Sequence, residues 1–355
     1  FCVELLYYIQ EVISMIKEEI WSISIQRARS FFRDQEDVTE ESINDYAFRS
    51  CPKLESIYLL GDDVTFAGSQ FATHADLGDA NGITIYVKNA TVAARVYAAQ
   101  TSAYGYEVKI LGSATDGSDA AEVPQVKNNT ELDTAINGGV STVVLGDGNY
   151  IIPDSAQGKT LTIVGNGNTV VATQDDGSYE GCDYSLDGAN VTFEGVTINT
   201  DSTTYTGYAR CSATYNNCTI NGAFWLYGES VFNNCTFNVT GDNYNIWTWG
   251  AKSVKFNDCT FNTDGKSVLV YNQSCDVYVD GCTFNDRTNG TGFTKSAIET
   301  GVDGVGPKYN IYITDTTVNG FAENDKCVGY KNIVGNKNSL TNDYLNIVVD
   351  GKDVY

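Results

Sequence analysis

Side chains able to carry chemistry are few in this chain and unevenly placed. There is one histidine, His74, so any centre that needs two imidazoles is excluded, the facial iron triad and the HExxH zinc site among them. Inverting glycosidases need two carboxylates about 6.5–9.5 Å apart, and Glu194, Asp258 and Asp280 are the candidates for such a pair. They fall at turn-proximal positions where Asn216, Asn233 and Thr314 also occur, which favours solvation over catalysis. Asp175, Asp176 and Asp183 form an acidic cluster whose oxygens suit Ca²⁺, although without EF-hand spacing. No other cofactor is expected, and no catalytic residue is assigned.

Aromatic residues give a stronger signal. Four short segments align: YARC (Tyr208–Cys211), WLYG (Trp225–Gly228), WTWG (Trp247–Gly250) and LVYN (Leu269–Asn272). Side chains alternate across a strand, so Ala209, Leu226, Thr248 and Val270 form one small-to-medium set suited to a narrow interior. The opposite set presents Tyr208, Trp225, Trp247 and Leu269 with Arg210, Tyr227, Trp249 and Tyr271. An exposed run of rings is a natural platform for sugar faces. Tyr208, Arg210, Trp225, Tyr227, Trp247, Trp249 and Tyr271 are therefore the expected ligand-binding residues, with Arg210 and Lys252 adding charge for an acidic glycan. The competing expectation is that inserts such as 202–206 and 287–294 fold over the rings and pack them.

Elements that could hold such a row are visible as a repeat. The phrase VTFEGVTIN (Val191–Asn199) returns as ATYNNCTIN, SVFNNCTFN, VKFNDCTFN, VYVDGCTFN and IYITDTTVN, the last ending at Asn319. Its threonines, Thr197, Thr219, Thr236, Thr260, Thr283 and Thr317, are separated by 22, 17, 24, 23 and 34 residues. A period near 22–24 with variable insertions is the signature of a solenoid. Stacked coils place equivalent residues in ladders. Cys218, Cys235, Cys259 and Cys282 share one ladder with Val196 and Thr316, so the slot is small and buried and its thiols are expected to be reduced. The 10 cysteines as a whole allow either disulfides or packed thiols. Asn199, Asn221, Asn238, Asn262, Asn285 and Asn319 form a second ladder, expected to hydrogen-bond along the axis and to take the left-handed turn conformation.

The remaining segments read differently. Leu5, Ile9, Val12, Ile16 and Ile20 have a helical period over residues 1–35. Glu4, Glu11, Glu18 and Glu19 interrupt it, so it does not read as a secretory signal. The chain opens on Phe1 rather than Met, and further sequence upstream is expected. Residues 113–127 have linker composition. A short helix is expected from Thr130, with Thr130 and Asp133 as a capping box and Gly138 as its stop. With 45 Asp+Glu against 22 Lys+Arg the formal charge is −23, which argues against nucleic acid or anionic membrane as partner. No window approaches the roughly 18 apolar residues of a membrane span.

Two family resemblances rest on these motifs. Ala47-Phe48, Cys51, Leu54 and Ile57, with a degenerate unit through Val64, Phe66, Phe71 and Ala72, resemble the bacterial surface (BspA-like) leucine-rich repeat over residues 36–112. Ile83–Leu111 looks like the strand–helix–strand closure of such arrays. Residues 128–355, with VVLGDGNYII (Val143–Ile152) and LTIVGNGNTV (Leu161–Val170) as opening coils, resemble right-handed parallel β-helix proteins of the pectate-lyase-like superfamily. The expected fold is mainly β: a right-handed parallel β-helix solenoid with an N-terminal leucine-rich-repeat remnant and a short N-terminal helix. The second resemblance implies hydrolases that pair carboxylates with histidine, or lyases that use Lys or Arg with calcium. The repeats contain no histidine, and their only arginines, Arg210 and Arg287, match no lyase motif. The expectation is a secreted or cell-surface, non-catalytic adhesion protein that binds glycan or a host protein. The alternatives are a polysaccharide lyase or glycoside hydrolase, and a phage tail fibre.

Overall fold

The computed structural model describes residues 42–44, 56–67, 84–99, 107–113, 117–178, 186–200, 211–292, 295–301, 306–322, 327–328, 332–336 and 339–355. The helical segment 1–35, the Ala47–Leu54 part of the leucine-rich motif, His74, Asp183, Tyr208 and Arg210 lie outside these residues. The chain divides into two units, Phe1–Val123 and Pro124–Tyr355.

In the first unit, strands Ser56–Leu59, Thr84–Val87 and Glu107–Ile110 pair in parallel, and Ala121–Glu122 adds antiparallel to the last. Helix α1 (Ala90–Ala99) connects the second strand to the third, so a strand–helix–strand unit does occupy 84–110. It buries Val92, Ala93 and Val96, while Ile57, Ile85 and Val108 form one buried row across the sheet.

The second unit is built from long parallel sheets, consistent with a parallel β-helix. Each pass of the chain adds one strand to an 11-stranded sheet and one to an 8-stranded sheet, and later passes add one to a 6-stranded sheet. The repeated phrase spans the first two. Its first half is a strand of the 11-stranded sheet (Asn190–Glu194, Ser212–Asn216, Ser230–Asn233, Ser253–Asn257, Cys275–Asp280, Tyr309–Thr314), and its T-x-N ending is a strand of the 8-stranded one. The bend between them is a single left-handed residue, at Gly195, Asn217, Asn234, Asp258, Gly281 and Asp315. Those residue types tolerate positive φ. The left-handed position is therefore not the Asn199 row, as expected from the sequence. That row is extended strand, and its amides do bond along the axis: Asn221 Nδ2 donates to Asn199 Oδ1 (3.0 Å) and Asn262 Nδ2 to Asn238 Oδ1 (3.2 Å).

Inside the stack, side chains of one row lie over one another. Phe237, Phe261 and Phe284 form a face-to-face column with ring centroids 4.4 and 4.5 Å apart. Phe193, Tyr215, Phe232 and Phe256 form a second column. The two meet edge to face, Phe232 on Phe237 at 5.1 Å and Phe256 on Phe261 at 5.3 Å, the geometry that aromatic quadrupoles favour. Tyr215 is the odd member: its hydroxyl is fully buried and has no hydrogen-bond partner among the described residues. An unmet buried hydroxyl is a cost. Tyr215→Phe is therefore expected to be neutral or to stabilise by about 1 kcal/mol, read as a raised urea midpoint.

The thiol ladder packs beside these columns. Cys218, Cys235, Cys259 and Cys282 are free and buried, and Cys211 and Cys275 are buried too. Each ladder thiol donates to a backbone carbonyl, for example Cys259 Sγ to Asn257 O at 3.3 Å. Hydrogen bonding to the neighbouring thiol, Cys218, together with burial, raises Cys235 to about 12. The Cys235 thiol and burial raise Cys259 to about 12 in the same way.

The open edge at the start of the stack is covered by helix α2 (Asn129–Asn137), whose Leu132 and Ile136 are fully buried. Its cap is two residues earlier than Thr130: Asn128 accepts from Glu131 N at 2.9 Å, and Glu131 accepts from Lys127 N. Beyond Gly138, Gly139 takes the left-handed conformation, with Val140 N bonding Ala135 O and Gly139 N bonding Ile136 O, a Schellman end. At the other end the antiparallel strand Lys352–Asp353 closes the edge of the 11-stranded sheet. Both devices shield strand edges from further pairing. Within 113–127, residues Ala121–Glu122 and Gln125–Val126 are strands.

Candidate functional site

The 6-stranded sheet carries the aromatic row. Strands Phe224–Trp225, Ile246–Trp247, Val268–Tyr271, Ile298–Gly301 and Val334–Asn336 pair in parallel. Leu226, Thr248 and Val270 point inward and are fully buried. Trp225, Tyr227, Trp247, Trp249 and Tyr271 point the other way and are half-buried. Leu269 shares their side by register, Trp247 pairing with it, but is covered.

Ring geometry decides what this face offers. Trp249 is stacked on Trp225 at 4.6 Å and on Tyr271 at 5.6 Å, with interplanar angles of 19° and 29°. Trp225 also stacks on Trp247 at 5.6 Å. Trp247 meets Tyr271 and Tyr244 edge to face, at 76° and 88°. The Lys266 ammonium lies 5.4 Å from the Tyr244 ring and pairs with Asp242. The faces of Trp249 are thus shared with neighbouring coils, and a sugar has no free face to stack on there. The indole nitrogens of Trp225 and Trp247 are buried within the row.

One polar residue on this face was missed from the sequence. Glu299 follows Trp225, Trp247 and Leu269 in the same row by register and precedes Gly335. It is 3% exposed, and its Oε1 accepts Ser296 N at 2.6 Å. A Cβ at Gly335 would collide with its carboxylate, so that glycine makes its room. Extending the WLYG alignment to IETG (Ile298–Gly301) would have found it.

Of the carboxylates named from the sequence, Glu194 and Asp280 do not form a pair. Glu194, Asn216, Asn233, Asn257 and Asp280 form one row in register, so Glu194 and Asp280 stand four coils apart, about 19 Å at 4.8 Å per coil. That exceeds the span of an inverting pair. Asp258 sits in the bend itself, exposed. Asp175 accepts from Asn129 Nδ2, and Asp176 accepts from the Ser178 hydroxyl and amide, which hold its carboxyl below the usual range. Among the described residues no three His, Cys, Asp or Glu side chains are grouped to hold a metal, and no helix is long and apolar enough to cross a membrane. Arg287 is committed to Asp264 (2.9 Å) and to Val239 O.

Compared with protein-family models, with curated proteins and with solved structures, the chain matches none.

Proposed function

We propose that this chain is a secreted or cell-surface, non-catalytic binding protein whose aromatic column contacts a glycan or host protein. The observation that carries the reading is the half-buried outward row Trp225–Trp247 with Tyr227, Trp249 and Tyr271 on a sheet whose opposite side is core. In this reading the second unit is a right-handed parallel β-helix of the pectate-lyase-like superfamily and the first a BspA-like leucine-rich remnant. The repeated phrase and the Ala47–Ile57 motif support those assignments.

Aromatic anchors dominate many interfaces. On a glycan array and against host surface proteins, Trp225→Ala and Tyr271→Ala are expected to weaken binding about thirtyfold each, the effect of losing a ~2 kcal/mol anchor. Thermal melts confirm that both variants fold. No binding by the parent, or undiminished binding by both folded variants, refutes this surface.

A second reading is favoured by Glu299 alone. A buried carboxylate on the same row as the rings is what a polysaccharide lyase or glycoside hydrolase would place beside its substrate. Release of reducing or unsaturated ends from pectins by the parent, and its loss in Glu299→Gln, would favour the enzyme.

A further inference from the structure

Beside the aromatic column the chain turns from Tyr271 into the next strand of the 11-stranded sheet through Asn272, Gln273 and Ser274. Asn272 is left-handed (φ 77°), and its Nδ2 donates to Trp249 O at 3.0 Å, so this turn is tied directly to the column. A cleft of about 620 Å³ opens here, and Lys252 and Lys308 line it from opposite sides. Lys252 O accepts Asp276 N from the coil on one side, and Lys308 O accepts Cys275 N from the coil on the other. Both lysines are exposed, and neither makes an ion pair among the described residues. A third, Lys255, lies 5.4 Å from the Tyr278 ring on the adjoining sheet face. The one carboxylate in the cleft, Asp276, accepts Asn310 Nδ2 at 2.7 Å.

Unpaired ammonium groups gathered in one cleft of a chain with net charge −23 form a local reversal of field. The chemistry is specific in a second way. A planar carboxylate is best met by the rigid fork of arginine, whereas lysines are point charges with rotatable donors. Two lysines on the coils either side of a turn that carries Asn272, Gln273 and Ser274 suit an anion whose oxygens diverge in three directions.

We propose that the Lys252–Lys308 cleft binds a tetrahedral oxyanion ester, sulfate or phosphate, carried on a glycan whose chain lies against the aromatic column. The proposal rests on the binding reading above and names its ligand class. The test uses the full chain at several salt concentrations against dextran sulfate, dextran phosphate, polygalacturonate and neutral dextran. The parent binds one or both of the tetrahedral esters, more tightly than polygalacturonate, and the two ester arms identify which it is. K252Q/K308Q, two exposed changes, loses binding roughly tenfold or more and flattens its salt dependence. Equal affinity for polygalacturonate, or a double variant that binds the esters like the parent, overturns the proposal. Binding of neutral dextran that is lost in Trp225→Ala but not in K252Q/K308Q leaves the column reading standing and removes this one. Ester binding lost in the lysine variant but kept in Trp225→Ala leaves the anion cleft standing and overturns the placement of the glycan chain against the column. No binding to any of the four polymers overturns the proposal.

Discussion

Phe256→Ala is expected to destabilise the second unit by about 3–5 kcal/mol, the range for removing a fully buried phenylalanine. Phe256 joins the two interior columns. It stacks on Phe232 at 5.3 Å and meets Phe237 and Phe261 edge to face at 5.8 and 5.3 Å. Its removal forfeits the ring's own transfer free energy and strands two edge contacts at once. The backbone cannot close the gap, because the coils on either side are held in register by strand pairing to Phe232 and Val279. In a stack of this kind each coil contacts only its neighbours, so a weakened coil also uncouples the halves on either side. A urea titration should show a lower midpoint, and a broader or split transition if the halves separate. A loss below about 1 kcal/mol would mean that these columns do not pack as described.

The second large effect is alkaline. Cys235, Cys259 and Cys275 stand near 12 in the folded chain against an ordinary value of 9.0. For the ladder pair the first cause is the hydrogen bond that each donates to the thiol of the preceding coil, with burial adding to it; for Cys275 burial leads. A thiol is neutral when protonated, so a raised folded value means the unfolded chain releases its proton first as pH rises. Stability from this source is complete below about pH 9 and is lost between about 9 and 12, at about 1.4 kcal/mol per pH unit for each such thiol. Lysines and tyrosines titrate in the same window, so the comparison needs a control that removes one thiol without emptying its slot. Cys259→Val provides it, because Val196 already fills the equivalent position at one end of the ladder and is buried. With reductant present, the urea midpoint of the parent should fall above pH 9 more steeply than that of Cys259→Val. Parallel curves would contradict the assignment.

How much of this was legible in the sequence varied with how directly one coil copies the next. The T-x-N phrase was readable because its register puts the same residue on the same row six times. The thiol slot was readable because Val196 and Thr316 share it. The left-handed bend was misplaced onto the Asn199 row because asparagine serves both jobs: Asn217 and Asn234 occupy the bend, whereas the Asn199 row needs amides only as hydrogen-bonding rungs. Glu299 escaped notice because a 34-residue step from Thr283 to Thr317 hides the strand that carries it. The aromatic residues were legible as a row but their ring planes were not. Alternation fixes which side a ring lies on, and only packing fixes whether its face or its rim meets solvent.

The central claim is that successive coils lie in register, so that position along the axis depends on coil count and not on residue count. Pulsed spin-label distances from Thr197→Cys to Thr283→Cys and to Thr317→Cys test it directly, in a chain whose Cys211, Cys218, Cys235, Cys259, Cys275 and Cys282 are buried. Four and five coil steps predict backbone separations of about 19 and 24 Å, a difference of one coil spacing despite the 34-residue step from Thr283 to Thr317. A difference much larger than one coil spacing, or two distances unrelated to the coil count, would contradict the stack and with it the aromatic face.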